Sequence, residues 1–144
     1  MAGLKRQLGA EEIVAQVLLG RSLLDEGEAL RNVVYMGMGE PLANYSNVTK
    51  AIEILNAEWG VGIGARHMTV STSGLAPQIK KLADFPLQIR LAISLHGATD
   101  EVREKIMPVN RKHALAELFE ALDYWNQKRK QFLTFEFILI AEVN

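Results

Sequence analysis

Stretches of helical period alternate with short β-prone runs along the whole chain, and this alternation constrains the fold more than any single motif does. Apolar residues at Ile13, Val14, Val17, Leu18, Leu23 and Leu24 predict a helix over 10–28, with Glu11 and Glu12 in the first turn where the dipole favours them. Asn32 to Met36 predicts a strand, and Asn44 to Glu58 a helix through Val48, Ile52 and Leu55, with Ser46 as N-cap. A glycine-rich loop then leads into a β-branched strand ending at Ser71-Thr72-Ser73-Gly74, after which helical spacing resumes from Leu75 to Phe85. Leu87 to Leu95 predicts a third strand, followed by a short helix capped by Thr99 or Asp100 and stopped by Pro108. Ile106 to Lys112 reads as a loop, Ala114 to Lys130 as an amphipathic helix, and Phe132 to Ile140 as a last strand whose exit is Ala141-Glu142-Val143-Asn144. Four helix–strand pairs in this order imply an α/β fold of parallel strands joined by right-handed crossovers, as part of a barrel or as an open sheet.

At 144 residues the chain can bury roughly 70% of its unfolded surface in one domain without covalent staples. It opens on a helix with no strand before it and closes on a strand with no helix after it. That is the pattern expected of one partial domain, 1–144, truncated at both ends. Sixteen basic residues against 17 acidic ones give a net charge of −1, which argues against strong unspecific attraction to nucleic acid. There is no cysteine, so no disulfide, thiolate nucleophile or cysteine-held cluster can form from these residues. His67, His96 and His113 match no metal-ligand spacing, and no metal site is expected. No apolar run reaches the length of a membrane span and no signal peptide follows Met1, so a soluble, cytoplasmic protein without a membrane partner is expected.

Small or polar residues end all four strands: Gly37-Met38-Gly39-Glu40, Ser71-Thr72-Ser73-Gly74, Ser94-Leu95-His96 and Ala141-Glu142-Val143-Asn144. In a parallel α/β fold these ends share one rim, so groups distant in sequence converge. Gly37 and Gly39 permit positive φ and let backbone approach a ligand, and Glu40 beside them can accept a charge-assisted hydrogen bond from an ammonium group. A plain strand-to-helix turn explains Gly-Glu-Pro equally well. Ser71 and Ser73 offer hydroxyls, although such a segment is also a good N-cap, and His96 suits either a ligand contact or a structural hydrogen bond. No serine sits in a nucleophile elbow, which leaves hydrolase readings weak. Arg111-Lys112-His113 could touch RNA phosphates, whereas Lys128-Arg129-Lys130 reads as a solvated helix end.

With these residues in place, the chain resembles the RlmN family of radical S-adenosylmethionine enzymes, which methylate adenine at carbon 2 in ribosomal and transfer RNA. The resemblance rests on Gly3-Leu4-Lys5-Arg6-Gln7-Leu8, on Val33 to Asn44 with Met36-Gly37-Met38-Gly39-Glu40-Pro41-Leu42, on Val70 to Gly74, Leu91 to His96 and Ile106 to Lys112, and on Thr134-Phe135-Glu136. It implies a partial (β/α) barrel of the radical SAM type. It also implies that Gly39 and Glu40 bind the methionyl amino group of S-adenosylmethionine, and that Ser71 and Ser94-Leu95-His96 complete the cofactor pocket. The implied chemistry is reductive cleavage of S-adenosylmethionine by a 4Fe-4S cluster, with the methyl group passing through a cysteine to 23S rRNA or tRNA.

The chain departs from that pattern in one respect: the family holds its cluster with C-x3-C-x2-C upstream of the segment matching Gly3-Leu4-Lys5-Arg6, and this chain has no cysteine. No catalytic residue is therefore assigned, and the chain alone is expected to be inactive and to self-associate through uncovered edges. Two alternatives stand beside this reading: another radical S-adenosylmethionine enzyme (an adenine carbon-8 methyltransferase or an activase), and a non-catalytic nucleotide-binding α/β module.

Overall fold

A computed structural model describes residues 5–144 as a single four-stranded sheet with helices between its strands. The order is α1 (Ala10–Ser22), β1 (Val33–Tyr35), α2 (Tyr45–Asn56), β2 (Met68–Thr72), α3 (Ala76–Ala83), β3 (Arg90–Ser94), α4 (Asp100–Ile106), α5 (Leu115–Arg129) and β4 (Thr134–Glu136). Short 3-10 turns at Pro41–Asn44, Ala65–His67 and Pro108–Arg111 complete it. The strands are all parallel and lie in the order β1-β2-β3-β4. A doubly wound sheet reverses its order at a switch point, whereas this one advances one strand at a time, which keeps right-handed crossovers on a single face, as in a barrel wall.

Register then decides which residues face the helices. Tyr35, Val70 and Leu91 stand side by side, as do Thr72, Ile93 and Phe135. Most of this set belongs to one buried cluster with Val48, Ile52 and Leu55 of α2, Ile79 and Leu82 of α3, and Leu118, Leu122 and Trp125 of α5. The alternate residues Thr69, Ser71, Ala92, Ser94, Thr134 and Glu136 point to the opposite, helix-free face, because side chains on a strand alternate.

Several boundaries differ from the sequence reading. The first helix stops at Ser22 rather than Glu28 because a competing turn forms: Glu28 accepts from the Asp25 N–H at 3.0 Å, and Gly27 takes φ +90°. The second helix begins at Tyr45, so Ser46 lies inside it and is not the N-cap; the preceding 3-10 turn already supplies the entry. Thr99 is the cap of α4, its Oγ1 accepting from the Val102 N–H at 3.3 Å. The last strand ends at Glu136 rather than Ile140. Beyond it the backbone folds into a turn in which Asn144 Oδ1 accepts from the Ile140 N–H at 2.8 Å. Arg129 is buried rather than solvated, donating to the carbonyls of Leu87, Leu82 and Phe85 around the end of α3. Of the segments used for the resemblance, Gly3 and Leu4 lie outside the described residues.

Candidate functional site

The C-terminal ends of β1, β2 and β3 carry all six residues expected to bind a cofactor: Gly39, Glu40, Ser71, Ser94, Leu95 and His96. Parallel pairing brings these ends to one edge of the sheet. The sequence-distant segments meet there through specific hydrogen bonds.

Glu40 is the hinge between the first two segments. Its Oε1 accepts from the Leu42 N–H at 2.9 Å, which starts the 3-10 turn, and its Oε2 accepts from Ser73 N–H at 2.7 Å and Ser73 Oγ at 2.6 Å. An ionised carboxylate has about four acceptor positions, so three are taken within the protein and one is left for a donor from outside. Gly37 and Gly39 do not use the positive φ that the sequence suggested; only Gly27, Gly62 and Gly74 do among the described glycines. Their role is space: a Cβ on either would meet no atom within 4 Å, so the backbone beside Glu40 lies open.

Ser71 and Ser94 sit on the helix-free face one strand apart, and they are linked by Glu136, which the sequence reading named within Thr134-Phe135-Glu136 but gave no place in the site. Glu136 of β4 pairs in register with Ser94; its Oε1 accepts from Ser71 Oγ at 3.2 Å and its Oε2 from Ser94 Oγ at 3.0 Å. The same residue's carbonyl accepts from the N–H groups of Leu95, at 3.0 Å, and His96, at 3.4 Å. His96 takes a left-handed φ of 55°. Histidine is among the non-glycine residues that tolerate this region, and such outliers gather at functional sites. Its Nδ1 accepts from the Ile138 N–H at 3.3 Å, and its carbonyl accepts from Asn144 Nδ2.

Behind this edge lies Arg103 of α4, fully buried. Its Nε donates to the Leu95 carbonyl at 3.1 Å, its Nη1 to Asn110 Oδ1 at 2.7 Å and its Nη2 to the Ser73 carbonyl at 2.5 Å. Burial pushes its pKa below the ordinary value while Asp100 opposes that shift, and an arginine remains cationic under both. One guanidinium thus ties the exit of β2 to the exit of β3. Neither Arg103 nor Asn110 was expected at the site: Arg103 falls in the short helix predicted after Thr99, and Asn110 in the loop Ile106 to Lys112, one of the segments that carry the resemblance.

The arrangement is an open wall rather than a closed cleft. Two concavities, of about 360 Å³ beside Tyr45, Lys81 and His113 and about 690 Å³ beside Arg21, Arg31 and His67, include none of the six residues. Chemically the wall offers hydrogen-bond acceptors and carboxylate charge, suited to a ligand rich in N–H and O–H donors. No grouping of three or more His, Cys, Asp or Glu that could hold a metal occurs among the described residues.

Comparison with known proteins agrees with this architecture. The family model described as the Radical SAM superfamily matches residues 3–143. A probable dual-specificity RNA methyltransferase RlmN of Akkermansia muciniphila is 53% identical over 144 residues, covering 100% of this chain and 40% of the relative. A dual-specificity RNA methyltransferase RlmN of Sorangium cellulosum is 56% identical over 145 residues, 100% of this chain and 37% of its own length. The crystal structure of a radical SAM methyltransferase from Sphaerobacter thermophilus superposes with a TM-score of 0.96 at 44% identity, over 99% of this chain and 42% of that one. The chain therefore spans about two fifths of the curated relatives it matches. A four-stranded, sequentially ordered parallel sheet and a family match over nearly every residue lead to one conclusion: the chain belongs to the Radical SAM superfamily.

Proposed function

We propose that Gly39, Glu40, Ser71, Ser94, Leu95 and His96 bind S-adenosylmethionine, and that a protein carrying this chain methylates adenine at carbon 2 of 23S rRNA and tRNA. The observation that carries the reading is the one acceptor position left on Glu40, beside an open Gly39 backbone. A methionyl ammonium group has three donors and a positive charge, and it suits that position better than any anion would. Glu40 holds and orients this group, Gly39 leaves room for it, and the acceptors of Ser71, Ser94 and the Leu95-His96 backbone take donors elsewhere on the molecule. When bound, S-adenosylmethionine supplies the methyl group and the radical chemistry for which the superfamily is named. Similarity along the whole chain to relatives named dual-specificity RNA methyltransferases supports the RNA substrates, and those substrates support a cytoplasmic location.

The residues of this chain do not fit a 4Fe-4S cluster: it contains no cysteine, and the described residues form no acidic or histidine cluster in its place. Without ligands for the cluster, the chain by itself is expected to be inactive. We further propose that the isolated chain self-associates, since β1 and β4 both present unpaired edges.

Titration calorimetry of S-adenosylmethionine against the intact protein tests the binding assignment. Glu40→Ala is expected to weaken binding by about tenfold or more, the loss of a charge-assisted contact. Undiminished affinity in that variant would remove Glu40 from the site. Mass spectrometry of ribosomal and transfer RNA from cells lacking the gene should show adenine without its carbon-2 methyl group; loss of a carbon-8 methyl group instead would place the protein with a different radical enzyme.

A further inference from the structure

Glu136 occupies an unusual place for a carboxylate. It lies on β4, an edge strand, and its side chain points away from the apolar core onto the helix-free face. Both of its oxygens are engaged, one by Ser71 two strands away and one by Ser94 on the neighbouring strand, at 3.2 and 3.0 Å. No other hydrogen bond or ion pair involves this carboxylate among the described residues, so the fold gives it no further task.

The consequence follows from proton counting. A serine hydroxyl has one proton and two lone pairs, and its proton rotates to whichever acceptor is available. A carboxylate can only accept, so both hydroxyl protons are committed to Glu136. Ser71 and Ser94 then present only lone pairs to anything approaching the wall. Glu40, also acceptor-only, continues the same polarity at the adjacent strand end. At these oxygens the wall accordingly takes hydroxyl, amino and ammonium groups, whereas an anionic group, the methionyl carboxylate of S-adenosylmethionine included, would meet lone pairs and negative charge there and has to lie away from them.

We propose that Glu136 is a positioning residue for the S-adenosylmethionine wall: by accepting the protons of Ser71 and Ser94 it fixes both hydroxyls as acceptors for donor groups of the ligand. This rests on the binding assignment made above. Glu136 acts through the two serines and does not itself touch the ligand.

Steady-state kinetics of the intact, cluster-loaded enzyme separates this role from a structural one. Glu136→Gln replaces an acceptor-only group by an amide that also donates, which forces at least one serine to turn. The Kd for S-adenosylmethionine by titration calorimetry and its KM should both rise about tenfold, with kcat, the KM for RNA and the melting temperature nearly unchanged. Glu136→Asp, which keeps the charge but has a shorter reach, should give an intermediate KM and provides a second variant should the amide fail to fold. The rise caused by Glu136→Gln should vanish in a Ser71→Ala/Ser94→Ala background, because nothing is then left to orient. An unchanged KM for S-adenosylmethionine in Glu136→Gln, alongside a raised KM in the double serine variant, overturns the role of Glu136 and leaves the wall intact. A rise that persists at full size in the serine-free background overturns it as well. If the double serine variant itself keeps the wild-type KM, the binding assignment fails, and this inference with it.

Discussion

Arg103 is the residue on which the geometry of the wall depends most. Its three donations reach the Ser73 carbonyl, the Leu95 carbonyl and Asn110, and Ser73 in turn holds Glu40. The two nearest glycines show how closely the surrounding backbone is drawn in. A Cβ at Gly74, where φ is +106°, would lie 3.1 Å from Arg103 Nη2, and one at Gly97 would lie 2.9 Å from the Arg103 backbone. Removing the guanidinium takes the donor from the half-buried Ser73 carbonyl and from the buried Asn110 Oδ1 and leaves the Leu95 carbonyl only the Gly97 N–H, at a cost of about 1–3 kcal/mol for each acceptor left unpaired before relaxation. Arg103→Met is thus expected to lose about 3 kcal/mol or more in denaturant unfolding, and Arg103→Lys to recover only part, since one ammonium cannot reproduce the planar fork. A wild-type unfolding midpoint for Arg103→Met would show that the guanidinium holds nothing together. Gly97→Ala should also destabilise, by about 1–3 kcal/mol, through the shift it forces on the middle of α4 at Arg103.

At the scale of elements, the junction of α4 and α5 is held by a cap borrowed from one helix for the next. Asp100, in the first turn of α4, accepts from the Leu115 N–H at 2.9 Å and from Asn110 Nδ2 at 2.7 Å, so one carboxylate satisfies a free donor at the start of α5. The Leu115 N–H, then Asn110, then the charge of Arg103 hold the Asp100 pKa below its ordinary value. At the start of α1, Arg6 and the Gly9 N–H likewise lower the Glu12 pKa to about 2. A carboxyl group whose folded pKa is depressed contributes stability above its unfolded pKa, near 4, and loses it as pH falls through the lower folded value. The melting temperature is therefore expected to drop between about pH 4 and pH 2. Asp100→Asn should melt lower at pH 7 and lose less on acidification; identical acid profiles for variant and wild type would count against the cap. Thr99, one of the two caps the sequence offered for α4, was legible there because it acts on a residue three positions away. Asp100 capping a helix fifteen positions on was not, since no local pattern announces it.

For the whole molecule, the two unpaired sheet edges are what the proposed self-association rests on. Around β4, Phe132, Phe135, Ile138 and Leu139 are exposed, with Phe119 of α5 6.5 Å from Phe135 between ring centres. An apolar surface flanking an unpaired parallel strand is a template for further pairing. The isolated chain should sediment as an oligomer, and Ile138→Lys with Leu139→Lys should shift it toward monomer; a wild-type monomer at every concentration tested would contradict this. What the sequence determined by itself was periodic and local: helix alternating with strand, and the acidic turn at Gly39-Glu40 ending a strand. It also supplied the family resemblance, which the family match now supports. Those features depend on neighbours within a few positions, so the residues alone display them. Tertiary structure decided the rest. Sequential strand order separated a barrel-type wall from an open doubly wound sheet, register put Glu136 against Ser71 and Ser94, and burial made Arg103 of the predicted short helix the tie between two strand ends. The two Glu136 bonds join groups 65 and 42 positions apart and the Arg103–Ser73 bond groups 30 apart, separations at which side-chain chemistry along the chain says nothing about which groups will meet.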